Sequence, residues 1–384
     1  MTQAQLSLQE DLNTIEQYAQ QWAITFSSSK TITQTFSTRN NYTSPQLQFN
    51  GQLISKTDTH KHLGLTLSED LRFKTHVTTI IQKINIALSP LYPIAKFLPR
   101  QTLNTIYKTY VRPYFDYCDC IYDGHITAHD ELRLERLQNR SARLVTNTLH
   151  RTSTDKLRDE LGWDSLKTRR KIHRLFLYKK IIDNTPRIPN YITNMIPEER
   201  GRTAGRNLRN QNHHTVPRTS KSCYQRSLIP KTSLHWNQLP THIRNCQEMK
   251  KFKQSIKLLL GTPQPPHYNA LGTKVGNTLH TQIRLGMSKL NAHQYSIQKV
   301  TSPECACGYT QENTKHFILH CPHYALTRST LFAQVSTHLN IDFNNQSDTM
   351  KLDTLLHGHN TTKQNAPQVL LAFQSFLKNT SRLI

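Results

Sequence analysis

Three cysteines and two histidines crowd into seventeen positions, CACGYTQENTKHFILHC, residues 305–321. A span this short holds too little apolar surface for a core of its own, so its fold depends on whether those side chains share a metal. Cys305, one residue, Cys307, eight residues, His316, four residues and Cys321 make a closed set of four N/S ligands. A structural zinc takes such a set in a tetrahedron. Gly308 follows the second cysteine, where a knuckle turns back on itself. His316 and Cys321 lie just over one helical turn apart, so a short helix aims both inward. His320 could replace Cys321 at i,i+4 spacing. With four protein ligands no water position is left, and the zinc is structural rather than catalytic. The competing reading is a pair of buried free cysteines near surface histidines. A redox dithiol is disfavoured, because Cys-x-Cys lies outside the usual Cys-x-x-Cys setting.

The rest of the chain is strongly basic. Its 384 residues carry a net charge of +24, which predicts attraction to polyanions, nucleic acid above all. The charge is uneven: residues 1–60 are net −1, 61–200 net +9, 201–260 net +11 and 261–384 net +5. Between 200 and 247 there are nine Lys or Arg and no Asp or Glu. Seven cysteines in no regular framework fit a reducing compartment, nucleus or cytoplasm. No run of about 18 apolar residues predicts a membrane span, and MTQAQLSLQEDL lacks the pattern of a signal peptide.

Periodicity predicts a mainly α chain with a small N-terminal β element. Leu6, Leu8, Leu12, Ile15, Tyr18, Ala19 and Trp22 make a helical stripe. ITFSSSKTITQTF, LQFNGQLI and KHLGLTL read as short strands. From Phe73 the pattern is helical, with Val77, Ile80, Ile84, Ala87 and Leu88 on one face. Leu103, Ile106, Tyr107, Tyr110 and Val111 mark the next helix. In ELRLERLQNRSARLV, Leu134, Leu137, Leu144 and Val145 line a core face. Arg133, Arg136, Arg140 and Arg143 recur beside it at spacings of three, four and three. LKTRRKIHRLFLYKKII adds Lys167, Arg169, Arg170, Lys171 and Arg174. Both runs could track phosphates. The 200–247 stretch, with Arg202, Arg206 and Arg209, reads as loop-rich and ordered on binding. Tyr224 and His235 could stack bases, whereas Trp236 reads as core. GTPQPPHYNALG, 261–272, reads as a linker, and a helical tail runs from roughly 349 to 383.

In order and spacing, these segments resemble the C-terminal part of non-LTR (LINE-type) retrotransposon reverse transcriptases. LQEDLNTIEQYAQQWAITFSSSKT resembles the segment after the catalytic aspartates, with Ser27 where an Asn is usual. HKHLGLTLSEDLRFKTHV resembles the primer-grip strands. YKTYVRPYFDYC, LERLQNRSARLV, LGWDSLKTRRKIHRL and SLIPKTSLHWNQLP resemble the helical region downstream, and the Cys/His stretch resembles the C-terminal zinc knuckle. The resemblance implies five parts: 1–72, the tail of the palm with its primer-grip strands; 73–186, a helical thumb-like domain; 187–260, a basic connector; 261–272, a linker; and 273–384, a zinc-knuckle module. It places Leu63 and Gly64 in the primer grip and Lys30 at the position that assists the pyrophosphate leaving group. It also implies a truncated piece of an RNA-directed DNA polymerase, with RNA or DNA as partner.

Nucleotidyl transfer needs metal ions held by clustered carboxylates, and no Asp-Asp pair occurs anywhere in the chain. Magnesium therefore belongs to an intact parent enzyme, and Lys30 is vestigial here. Asp116 and Asp119 read as solvated helix-end acids. Asp342, Asp348, Lys351 and Asp353 read as surface charge rather than a nuclease site. Binding of RNA or DNA without catalysis is the expected capacity, with no small-molecule substrate. Two other classes compete: a stand-alone cellular nucleic-acid-binding zinc protein derived from such an element, and a protein-interaction scaffold whose nucleic-acid binding would be weak and insensitive to salt.

Overall fold

The computed structural model describes residues 3–27, 30–37, 42–148, 152–183, 188–198, 213–216, 221–265, 271–358, 361–362 and 364–384. These residues are mainly helical, with a small β element confined to the first 68 positions. Among them no helix is long and apolar enough to cross a membrane. The chain divides into two compact units, the first made of Met1–Gln82, Cys118–Leu132 and His173–Leu239, the second of Lys83–Tyr117, Arg133–Ile172 and Pro240–Ile384.

In the first unit the strands are shorter and more numerous than the periodicity suggests. Ile32–Thr33 pairs in parallel with Ser55–Lys56. Gln48–Phe49 and Gln52–Leu53 form a hairpin around Asn50 and Gly51, both at positive φ. That backbone is the turn an Asn-Gly pair favours. Thr59–His62 and Leu65–Ser68 form a second hairpin, with His62 opposite Leu65.

The helix Gln3–Gln21 forms where expected, but its stripe does not become a core face. Of its residues only Ala19 is buried, while Leu6, Leu8, Ile15 and Tyr18 are exposed, as is Trp22 just beyond its end. The helix is held by polar bonds instead. Gln9 Nε2 donates to Gln48 O at 2.9 Å, and Gln9 Oε1 accepts from Gln48 N at 2.9 Å. One glutamine side chain thus continues the strand's own ladder.

The basic stretch expected to be loop-rich is helical from Ser222 onward, in Ser222–Arg226, Leu228–Asn237 and Thr241–Arg244. The reason is local: Ile229, Ser233 and Trp236 recur at four- and three-residue spacing and are all buried. Tyr178 packs against Trp236 and its hydroxyl lies 2.8 Å from Ser233 Oγ. Trp236 is core, as its sequence context suggests.

In the second unit, Arg100–Ile106 continues through a π-helical turn, Tyr107–Val111. Tyr107 stacks on Trp163 with ring centres 3.8 Å apart, and Trp163 Nε1 donates to Asn104 Oδ1 at 3.0 Å. Arg100 and Arg284 converge on Glu160, all three buried. The stretch expected to be a linker is anchored at its start. Thr262 N donates to Asp164 Oδ1 at 2.5 Å and Gln264 Nε2 to Gly162 O at 2.8 Å. The C-terminal helices Lys274–Arg284, Ala325–Leu339, Asp348–His357 and Ala366–Asn379 close over Phe317, Phe343, Leu355 and Phe373.

Candidate metal centre and basic faces

Cys305, Cys307, His316 and Cys321 converge: one ligand atom from each lies within 4.8 Å of every other. Two short pieces of chain produce this. The first is a knuckle, in which Gly308 N donates to Cys305 O and Cys305 N to Tyr309 O, both at 2.9 Å. Gly308 sits at φ +87° with open space around it, so backbone conformation rather than crowding calls for glycine. The second is the π-helical turn His316–His320, whose apolar Phe317, Ile318 and Leu319 are buried. Those three side chains seat the turn in the C-terminal core and fix its flanking residues.

The distances fit a metal. Cys305 and Cys321 sulfurs are 3.8 Å apart, and Cys307 Sγ is 3.2 Å from His316 Nε2. A tetrahedron with zinc–sulfur bonds of ~2.3 Å has sulfur–sulfur edges of ~3.8 Å. All three cysteines are free of disulfides. Tyr309 stacks flat on His316 at 4.3 Å and 5°. Asn313 Oδ1 accepts from His316 N at 2.9 Å. Burial pushes the Cys305 thiol up to about 12, and burial also holds the His316 imidazolium down. The neutral imidazole is the form that binds metal. Burial pushes the Cys307 thiol up as well, but the Tyr309 backbone amide and the neighbouring thiols outweigh it, so that thiol lies below its usual value. His320 is not part of the set. It is 49% exposed and its Nε2 pairs with Asp348 Oδ2 at 3.0 Å. These four side chains could hold a zinc ion with no position left for water.

The two arginine runs separate into exposed and buried members. On the helix Ala128–Thr146, Arg136 and Arg140 are exposed, with Arg140 lying over the Tyr92 ring at 4.9 Å. Arg133 and Arg143 are half-buried. On Leu166–Ile182, Lys167 is exposed and Lys171 half-buried, but Arg170 and Arg174 are each only 2% exposed. Arg174 pairs with buried Asp123 at 3.0 Å, and Arg169 grips Asp116 through two bonds of 2.9 and 2.6 Å. The face that the second run offers to a phosphate therefore shrinks to Lys167 and Lys171. Arg202, Arg206 and Arg209 lie outside the described residues.

Asp119 is not solvated, and Asp116 is only partly so. Asp116 is engaged by Arg169, and Asp119, 3% exposed, lies 2.6 Å from His173 Nδ1. Asp348 opens its helix and pairs with Lys315 and His320. Leu63 and Gly64 form the tip of the second hairpin at φ +46° and +86°, and Leu63 is 79% exposed. Lys30 is exposed, and its backbone N–H donates to Ser27 O at 3.1 Å. Sequence reasoning missed Glu160 and Asp123, the carboxylates that gather buried cations. No local pattern marks them, because their partners lie 40 or more positions away.

The fold and the cluster together define a mainly α, basic protein with a Cys3His ligand set. Its sequence is similar to the RNA-directed DNA polymerase of the mobile element jockey from Drosophila melanogaster, at 28% identity over 145 residues. The match covers 36% of this chain and 15% of that polymerase's length. It supports a relationship to retrotransposon reverse transcriptases. No family model matches the chain, and no solved structure matches it.

Proposed function

We propose that this chain is a nucleic-acid-binding part of a LINE-type reverse transcriptase, spanning the end of the palm (1–72), a thumb-like region (73–186), a basic connector (187–260), a linker (261–272) and a zinc knuckle (273–384). The similarity to the jockey polymerase carries the proposal. The net charge of +24, the exposed Arg136, Arg140 and Lys167, and the four-ligand cluster support it. The zinc ties the knuckle to the C-terminal core and takes no part in chemistry. Phosphates engage the exposed cations. Leu63, held out at a hairpin tip, offers an apolar contact for a primer end. Lys30 has no clustered carboxylates to serve, because the chain contains no Asp-Asp pair. These residues by themselves bind RNA or DNA and do not extend a primer.

The test uses the full chain with zinc and a labelled RNA. If six to ten phosphates are engaged, affinity falls about 10³–10⁵-fold between about 50 and 200 mM salt. A flat salt response would instead favour a protein-interaction scaffold. In a primer–template assay with magnesium, no extension product is expected.

A further inference from the structure

A groove of about 240 Å³ opens in the second unit, between the short helix Leu91–Ala95, the end of Ala128–Thr146 and the start of Lys274–Arg284. Tyr92, Lys96, Arg100, Lys274 and Thr278 line it, and among the described residues no carboxylate does. Lys96 is exposed. Lys274 Nζ donates to Leu98 O at 2.9 Å, which takes up one of the three N–H bonds of an ammonium. Burial lowers the Lys274 pKa. Among the described residues neither lysine pairs with a carboxylate. Arg100 shares Glu160 with Arg284, so two buried cations are set against one acid there. Every charged group that lines the groove is a cation.

A row of cations leads up to its rim. Tyr92 lines the groove and also lies under Arg140, whose guanidinium carbon is 4.9 Å from the ring centre. A guanidinium stacked on an aromatic face keeps its in-plane N–H groups available to donate. Arg136 lies one turn before Arg140 and is exposed like it. Lys96 lies four positions after Tyr92. Arg136, Arg140 and Lys96 therefore follow one another to the groove, with Tyr92 as the link.

The volume narrows the choice of ligand. It falls below the ~300–1,000 Å³ of pockets that hold a whole small molecule, yet far exceeds the ~30 Å³ of one water. It suits one charged group of a larger ligand. Cations without acids select a polyanion. A phosphate, with several acceptor oxygens on one centre, takes donors from two lysines at once. A row of cations outside the groove calls for a ligand whose charges repeat along a chain, as those of a nucleic-acid strand do.

We propose that this groove seats one backbone phosphate of a bound RNA or DNA strand between Lys96 and Lys274, while neighbouring phosphates of the same strand follow Arg140 and Arg136. This rests on the nucleic-acid-binding reading above and names a subsite for it.

The experiment titrates the full zinc-loaded chain with a short fluorescein-labelled RNA, and with DNA of the same sequence, over a series of salt concentrations. Lys96→Ala with Lys274→Ala weakens the strand that binds by about tenfold or more and lessens the slope of log affinity against log salt by roughly two. Lys96 is exposed, so Lys96→Ala folds even if the double variant does not, and it lessens the slope by roughly one. The bound strand also shields both lysines of the parent protein from reductive methylation, read residue by residue by mass spectrometry. The proposal is overturned if Lys96→Ala leaves affinity and slope unchanged, or if the strand shields neither lysine. It is also overturned if inorganic phosphate at the same phosphate concentration, or a polyglutamate peptide of the same charge, shields them as well as the strand does. If a strand binds with a steep salt slope while the lysine variants match the parent, the groove fails alone; if neither strand binds, both readings fail.

Discussion

The sulfurs of Cys305 and Cys321 lie 3.8 Å apart although sixteen positions separate them in the chain. No disulfide joins them, and the spacing equals a tetrahedral edge around zinc. The protein is therefore expected to hold one zinc per chain, measured by elemental analysis of purified material. Cys321→Ser removes a ligand and loses the metal. His320→Ala keeps it, since His320 faces Asp348 instead.

Chelation extends the same argument to stability. Phe317, Ile318 and Leu319 sit between two of the four ligands and belong to the C-terminal core. Removing zinc frees the turn that seats them. A chelator lowers the melting temperature of the full chain, and added zinc restores it. A melting curve unchanged by chelator would sink the metal centre.

Glu160 answers to two buried arginines, Arg100 and Arg284. Burial by itself would raise its carboxyl pKa, but the two guanidinium charges outweigh that and hold it below the usual value. A depressed carboxylate contributes stability that is fully present above its unfolded pKa and is lost as pH falls through the folded one. Unfolding by urea at a series of pH values therefore shows stability dropping on acidification below the ordinary glutamate range. Glu160→Gln flattens that dependence and destabilises by ~3–5 kcal/mol, because it leaves two buried cations uncompensated.

The hairpin 59–68 gives a prediction of opposite sign. Leu63 adopts φ +46°, a region that leucine disfavours and asparagine tolerates, with Gly64 beside it at +86°. Leu63→Asn creates an Asn-Gly turn and stabilises by up to ~1 kcal/mol in thermal unfolding. If Leu63 supports a primer end, the same variant binds a primer–template less tightly while melting higher.

Where sequence and structure agree, the information was local. Val77, Ile80, Ile84 and Leu88 share a buried face because their spacing alone puts them on one side of Lys74–Leu88. The convergence of Cys305, Cys307, His316 and Cys321 was readable because seventeen residues contain them all. Disagreement arises where distant partners decide. The stripe of Gln3–Gln21 is amphipathic, yet Gln9 bonds to the backbone of Gln48 while Leu6 and Ile15 stay exposed. Ser222–Asn237 reads as polar loop until Ser233 and Trp236 find Tyr178.

The arginine runs carry the sharpest separation between binding and folding. Arg136 and Arg140 are exposed, so Arg136→Glu with Arg140→Glu takes two cations from the exposed face of Ala128–Thr146 and leaves the core intact. RNA affinity should fall, and the slope of log affinity against log salt should lessen by roughly two, one for each phosphate no longer neutralised. The melting temperature should stay nearly constant. Arg174 belongs to the same kind of basic run in the sequence, but it is 2% exposed and pairs with Asp123, itself 3% exposed. Arg174→Ala strips that buried carboxylate of its buried guanidinium and leaves Lys231, 3.0 Å away and more exposed, so it should cost stability by up to ~3–5 kcal/mol, the figure for a buried charge left wholly unpaired. The two variants are compared by chemical denaturation and by RNA titration at matched folded concentration. If Arg174→Ala keeps its stability and loses RNA affinity, Arg174 works at the surface and the buried pair is incidental. If the double reversal leaves both affinity and salt slope unchanged, the exposed face of Ala128–Thr146 does not contact phosphate.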